Sequence, residues 1–286
     1  MNVTQTTETA TEEQSAGFAP LPAVAARSEN AIGTWAQHSL LQCKRLLIGW
    51  MRDPATTIQT LIYPALTLLM FDVVLGTTIT RNTGMDAIYG QVPLITLVAA
   101  MSGAVVSALG FKVEKATGLL SRFWTMPMNR AASLSGRLLA EAVRVLITTL
   151  FVILVGMALG FRFNQGPLAA IALIGIPVLF GVGFAVLCTA LATLTEGVLL
   201  VSLITIVNTL LMFFNTGFVP VFAYPTWLQD VVGNQPMSTA IDAMRGLSAG
   251  GPVAEPLLKT IAWTVGLVVV FALPAVRGYR RAAETA

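Results

Sequence analysis

Charge is scarce in this chain. Only 11% of its 286 residues are Asp, Glu, Lys or Arg, against about 25% in an average soluble domain. Cysteine and histidine are scarcer still, at two and one. Cys43 and Cys188 lie in apolar or amphipathic stretches and read as small buried hydrophobes, not as a disulfide scaffold. A lone His38 excludes a His-rich metal site, and no bound metal is expected. No lysine follows a glycine: the four lysines stand after Cys43, Phe111, Glu114 and Leu258. A phosphate-cradling P-loop needs Gly-Lys followed by Ser or Thr, so this chain has no such means of hydrolysing ATP. The G-x-S-x-G turn of serine hydrolases is missing too. No catalytic residue and no cofactor of its own are expected.

What is abundant is apolar surface. Hydrophobic residues make up 55% of the chain, and mean hydropathy is +0.76. A spanning helix needs about 20 mainly apolar residues. Six such stretches stand out, at about 54–80, 88–111, 132–161, 167–195, 197–215 and 257–276. The expected fold is an all-α membrane protein with six transmembrane helices. Lys and Arg accumulate on the cytoplasmic side of membrane proteins. With both termini inside, twelve of the 17 basic residues fall in inner segments, which sets that orientation and a multi-pass place in the plasma (inner) membrane. The net charge of +3 is too small to suggest a nucleic-acid partner. Residues 1–30 are polar, carry Glu8, Glu12, Glu13 and Glu29, and lack the apolar core of a secretory signal. They read as a flexible cytoplasmic tail ahead of a membrane domain over 31–286.

Three segments between the spans carry more information than the spans. In 31–53, Ala36, Leu40, Cys43, Leu47 and Trp50 recur at helical spacing, with His38, Arg45 and Arg52 on another face. This is an interfacial amphipathic helix, turned into the first span by Pro54. In 113–126, Ala116, Leu119, Leu120, Phe123 and Trp124 follow an i, i+3, i+4, i+7, i+8 pattern, with Glu114, Lys115 and Arg122 on other faces. A second amphipathic helix is expected there, stopped before Pro127. Segment 216–256 is too apolar for a solvated loop and too rich in proline for one span. Short re-entrant helices in the outer leaflet are expected.

Ionisable groups inside spans are costly and point to function or to pairing. Asp72 falls about 27 Å beyond Pro54, near the outer interface. Glu141 and Arg144 stand three apart and predict an internal ion pair. Ser102, Ser107, Asn208 and Asn215 either line a pathway or hydrogen-bond a neighbouring helix. Met212 suits contact with an apolar cargo or with lipid. The shortage of mid-membrane carboxylates argues against an ion-coupled secondary transporter, which stays as the alternative. A lipid-modifying enzyme lacks a nucleophile–base pair.

The order of segments resembles the membrane subunits of ABC-2 type exporters. The likeness is carried by Glu114-x-x-x-Gly118-Leu119-Leu120, Met126-Pro127, Gly136-Arg137-Leu138, Phe218-Val219-Pro220 and Asn234-Gln235-Pro236-Met237-Ser238. Gly160-Phe161-Arg162-Phe163, Gly250-Gly251-Pro252-Val253 and Gly278-Tyr279-Arg280-Arg281 resemble the daunorubicin-resistance permeases of actinobacteria, above all the DrrC-type subunits of mycobacterial lipid exporters. The resemblance implies a cytoplasmic coupling helix over 113–126, which an ATP-binding cassette ATPase moves. Glu114, Lys115, Gly118, Leu119, Arg122, Phe123 and Pro127 would be the coupling residues. It further implies two ATPase copies that hold ATP and Mg, a second, DrrB-like permease subunit, and membrane lipids as surroundings. The implied cargo is a complex lipid such as phthiocerol dimycocerosate, or a hydrophobic antibiotic.

Overall fold

The computed structural model describes residues 32–120, 122, 129–195 and 197–284, all helical or in short connections. The expected tail over 1–30, together with Phe123 and Pro127, lies outside these residues. The elements are α1 (Ile32–Arg52), α2 (Pro54–Phe71), a π-helical turn (Asp72–Gly76), α3 (Thr77–Thr83), α4 (Ile88–Ala116), α5 (Arg130–Ala158), α6 (Pro167–Leu194), α7 (Gly197–Phe213), α8 (Thr226–Asn234), α9 (Pro236–Ala249) and α10 (Ala254–Glu284).

Local chemistry sets the boundaries. Asp53 accepts from the Ala55 amide at 3.2 Å, and Pro54 opens α2 where no amide donor is needed. The Thr56 hydroxyl and the adjoining amides hold the Asp53 carboxyl below its ordinary range. Asn129 caps α5 through the Ala131 amide at 3.0 Å. Pro167 opens α6, and Gly84 closes α3 with φ +70°.

Among the described residues, five helices are long and apolar enough to cross a membrane: Pro54–Thr83, Ile88–Ala116, Ala131–Ala158, Pro167–Leu194 and Ala254–Arg281. The fifth of the six expected spans is shorter. Its helix, α7, has 17 residues and ends at Phe213, so it extends about 26 Å rather than the roughly 30 Å of a bilayer core. Segment 216–256 forms α8, α9 and a single 3₁₀ turn at Val221–Ala223.

Helices α4 and α6 form the centre. α6 packs against α4, α5 and α10, while α1 lies along α5. Leu94, Met101, Phe111, Leu173, Phe180 and Met237 are all core residues. Burial is uneven: 67% of the most apolar stretch of α4 is covered, but only 11% of that in the first and last spans. α1 approaches α5 so closely that a Cβ on Gly136 would stand 2.7 Å from the Ser39 carbonyl oxygen. Small residues permit such backbone approach between membrane helices.

Candidate functional site

α4 does not stop at residue 111. It continues to Ala116, which puts Glu114 in its last turn. There Arg45 Nη2 of α1 donates to Glu114 Oε1 at 2.6 Å. Arg137 Nη2 of α5 donates to the other carboxylate oxygen, and Arg137 Nη1 donates to the Ser107 carbonyl at 3.0 Å. Arg137 is 4% exposed and the Glu114 side chain 14%. One carboxylate therefore ties together three helices.

This differs from the expected helix over 113–126. Residues 113–116 belong to the spanning helix, and the chain turns at Thr117 and Gly118 before Leu119 and Leu120 resume helical geometry. Gly118 has φ +68°, a left-handed value that a side chain would disfavour. Lys115 and Arg122 are exposed, Gly118 and Leu119 are half-buried, and Leu120 is buried. The apolar periodicity runs on through the turn, which is why sequence spacing alone reads as one helix. Lys112 meanwhile donates to the Thr195 carbonyl, securing the end of α6.

Above this clamp, Arg144 pairs with Glu141 and donates to the Gly103 carbonyl of α4. The expected i, i+3 ion pair is present and serves a helix–helix contact. The two ionic groups border a cavity of about 410 Å³ between α1, α4 and α5, which Trp50 and Ser107 also line.

The expected pathway residues divide. Ser102 and Met212 line one cleft, together with Gln59, Thr60, Tyr63 and Thr67 of α2. Sequence reasoning missed these α2 residues, although Gln59, Tyr63 and Thr67 recur every four positions. Ser107 contributes its carbonyl to Arg137 instead. Asn208 is half-buried in α7, and its Oδ1 has no hydrogen-bond partner. Asn215 is a cap. Its Oδ1 accepts from the Gly217 amide at 2.7 Å, and its Nδ2 donates to the Leu211 and Met212 carbonyls. Asn215 is fully buried, so it closes α7 and faces no cleft.

At the end of the molecule that holds α8 and α9, Arg245 Nη1 pairs with Asp242 at 3.2 Å, and its Nη2 donates to the Thr216 carbonyl. Burial pushes the Asp242 carboxyl up, and the Arg245 charge opposes that shift. The pair pins α9 to the segment after α7.

Among the described residues, the chain is an all-helical, multi-pass membrane protein with a buried ionic clamp at one end and the short helices α8 and α9 at the other. Residues 40–248 match the family model of the ABC-2 type transporter, and the chain belongs to that family. It is similar to the probable doxorubicin resistance ABC transporter permease protein DrrC of Mycobacterium tuberculosis, with 41% identity over 255 residues, covering 89% of this chain and 92% of that protein. It is also similar to the daunorubicin resistance ABC transporter permease protein DrrB1 of Streptomyces coeruleorubidus, at 27% identity over 87% of this chain and 88% of the relative. The doxorubicin resistance permease DrrB of M. tuberculosis is 25% identical over 67% of this chain and 70% of its own length. The chain is thus the permease subunit of an ABC transporter of the doxorubicin and daunorubicin resistance group and is not itself an ATPase. Permeases of this family act with ATPase subunits.

Proposed function

We propose that this permease exports a hydrophobic cargo, either a complex lipid such as phthiocerol dimycocerosate or a hydrophobic antibiotic, outward across the plasma membrane. A separate ATPase, present in two copies with ATP and Mg, drives the step. A second permease subunit of DrrB type completes the membrane portion. Both termini lie in the cytoplasm, as the distribution of Lys and Arg indicates. The exposed Lys115 and Arg122 at the turn after α4, with the half-buried Leu119 between them, meet the ATPase, and Phe123 and Pro127 follow in the same segment. Glu114 acts one layer behind them: it transmits their displacement to α1 and α5 and does not touch the partner.

The observation that carries this reading is the uncovered first span. Only 11% of its most apolar stretch is buried, yet Gln59 and Tyr63 on that face are exposed and polar, opposite Ser102 and Met212. Polar side chains facing lipid are costly. A second permease packed there, enclosing a route between the two subunits, gives them partners and gives an apolar cargo a shielded path.

The test is ATP-dependent accumulation of doxorubicin, and separately of a fluorescent long-chain wax ester, in inverted vesicles. The vesicles would contain this chain with its candidate ATPase and second permease. Accumulation of either probe is expected to need ATP and to fail when the ATPase cannot hydrolyse it. Transport that follows an ion gradient without ATP would replace this reading with ion-coupled transport.

A further inference from the structure

We infer that the cavity between α1, α4 and α5 is a binding site for the headgroup of an anionic phospholipid, distinct from the cargo cleft of α2 and α7. Three observations on its lining lead there. The first is charge. Arg45, Arg137 and Arg144 border the cavity with Glu114 and Glu141. Both carboxylates are already engaged, Glu114 by two arginines and Glu141 by one. Away from the rim the lining holds three arginines against two carboxylates, with Arg137 and Arg144 buried and Arg45 partly exposed. Asp53 also borders the cavity but is exposed at its rim, with its oxygens held by Ala55 and Thr56. A phosphodiester is the kind of anion that an arginine-rich lining recognises.

The second observation is unsatisfied hydrogen bonding. Arg137 Nε, Arg144 Nε and Trp50 Nε1 are buried donors without a partner, and Glu141 Oε1 is a buried acceptor without one. Arg137 and Arg144 are themselves 4% and 8% exposed. Buried polar groups left unpaired are costly, so their concentration around one void indicates an occupant. Donors of this kind fit phosphate oxygens, and arginine is well suited to them. The lone acceptor fits a hydroxyl, so a polyol headgroup such as glycerol fits better than choline.

The third observation is depth. The lining runs from Glu114 back to Ser107, about 10 Å along α4, and from Arg137 inward to Arg144, about 10 Å along α5. It begins at the amphipathic helix α1, where a lipid headgroup resides, and Leu46, Leu47 and Val106 supply an apolar wall for the upper acyl chain. The lipid would fill the seam between α1 and the bundle, next to the clamp at Glu114. Bilayer composition then becomes an input to the coupling end of the permease.

The test uses the intact permease–ATPase complex in mild detergent, with native mass spectrometry and thermal melting as readouts. Phosphatidylglycerol is expected to stay bound at one per copy of this chain and to raise Tm, while phosphatidylcholine does neither. Inorganic phosphate is expected to leave Tm unchanged, which separates a lipid headgroup from a free anion. Arg144→Gln alone would strand Glu141 and risk misfolding. Trp50→Phe therefore serves as the principal variant, since it removes one donor and keeps the ring. It should weaken phosphatidylglycerol retention by roughly tenfold, the usual effect of losing a hydrogen bond to a charged group. The paired Glu141→Gln, Arg144→Gln variant should weaken it further. Equal retention of the two lipids, unchanged retention in Trp50→Phe, or full stabilisation by inorganic phosphate would each overturn the assignment.

Discussion

Arg45 and Glu114 stand 69 positions apart in the chain and meet at 2.6 Å, joining the amphipathic helix α1 to the last turn of α4. Arg137 completes the contact from α5. Removing the carboxylate leaves Arg137 buried with an uncompensated charge. Breaking a buried pair from one side costs about 3–5 kcal/mol. Glu114→Gln is therefore expected to lower Tm and yield sharply in detergent, and Glu114→Arg more so. The double variant Glu114→Gln, Arg137→Gln should recover part of the loss. Equal melting of Glu114→Gln and the parent protein would show that the clamp does not hold α1.

That contact also marks the limit of what the sequence discloses. Glu141 and Arg144 are one helical turn apart, so their pairing follows from spacing alone. The spans were legible for the same reason: length and apolarity are local properties, and Pro54, Pro167 and Gly84 punctuate them locally. Glu114 has no local partner of opposite charge at the right position. Its engagement depends on three helices converging, which no periodicity encodes. The same holds for Gly118. The apolar pattern of Ala116, Leu119 and Leu120 continues across it, while the backbone reverses hand there. Asn215 resembled a pathway residue by position, and only its hydrogen bonds reveal a cap.

The turn at Gly118 separates a spanning helix from the segment proposed above to meet the ATPase. Replacing Gly118 by Ala places a side chain in a left-handed conformation that costs about 1–2 kcal/mol. The strain is relieved if α4 extends straight through, which re-aims Leu119 and Arg122. Gly118→Ala should thus melt within a few degrees of the parent but retain less ATPase on co-purification and lose most ATP-driven transport. Undiminished transport would remove the turn from the coupling route.

Ser39 Oγ and Ser135 Oγ lie 2.8 Å apart across the α1–α5 seam. The seam closes because Gly136 has no Cβ to meet the Ser39 carbonyl. Ser39→Cys with Ser135→Cys should cross-link readily under mild oxidation. Adding Gly136→Val should suppress the cross-link by pushing α1 away, while expression persists. Efficient cross-linking in the triple variant would mean that the seam tolerates far more bulk than this geometry permits.

Asn215 and Ser102 offer a paired test of structural against pathway roles. Asn215 is buried and bonds to three backbone groups, so Asn215→Ala should cost about 1–3 kcal/mol by stranding the Gly217 amide. Among folded molecules it should leave the ranking of transported compounds unaltered. Ser102 is exposed to the cleft and has no such duty. Ser102→Cys should fold normally and transport normally, then lose transport when a bulky maleimide is attached. Doxorubicin at high concentration should slow that labelling if the cleft carries apolar cargo. Labelling that proceeds to completion without loss of transport would take the α2–α4–α7 cleft out of the pathway and shift attention to the far face of the bundle.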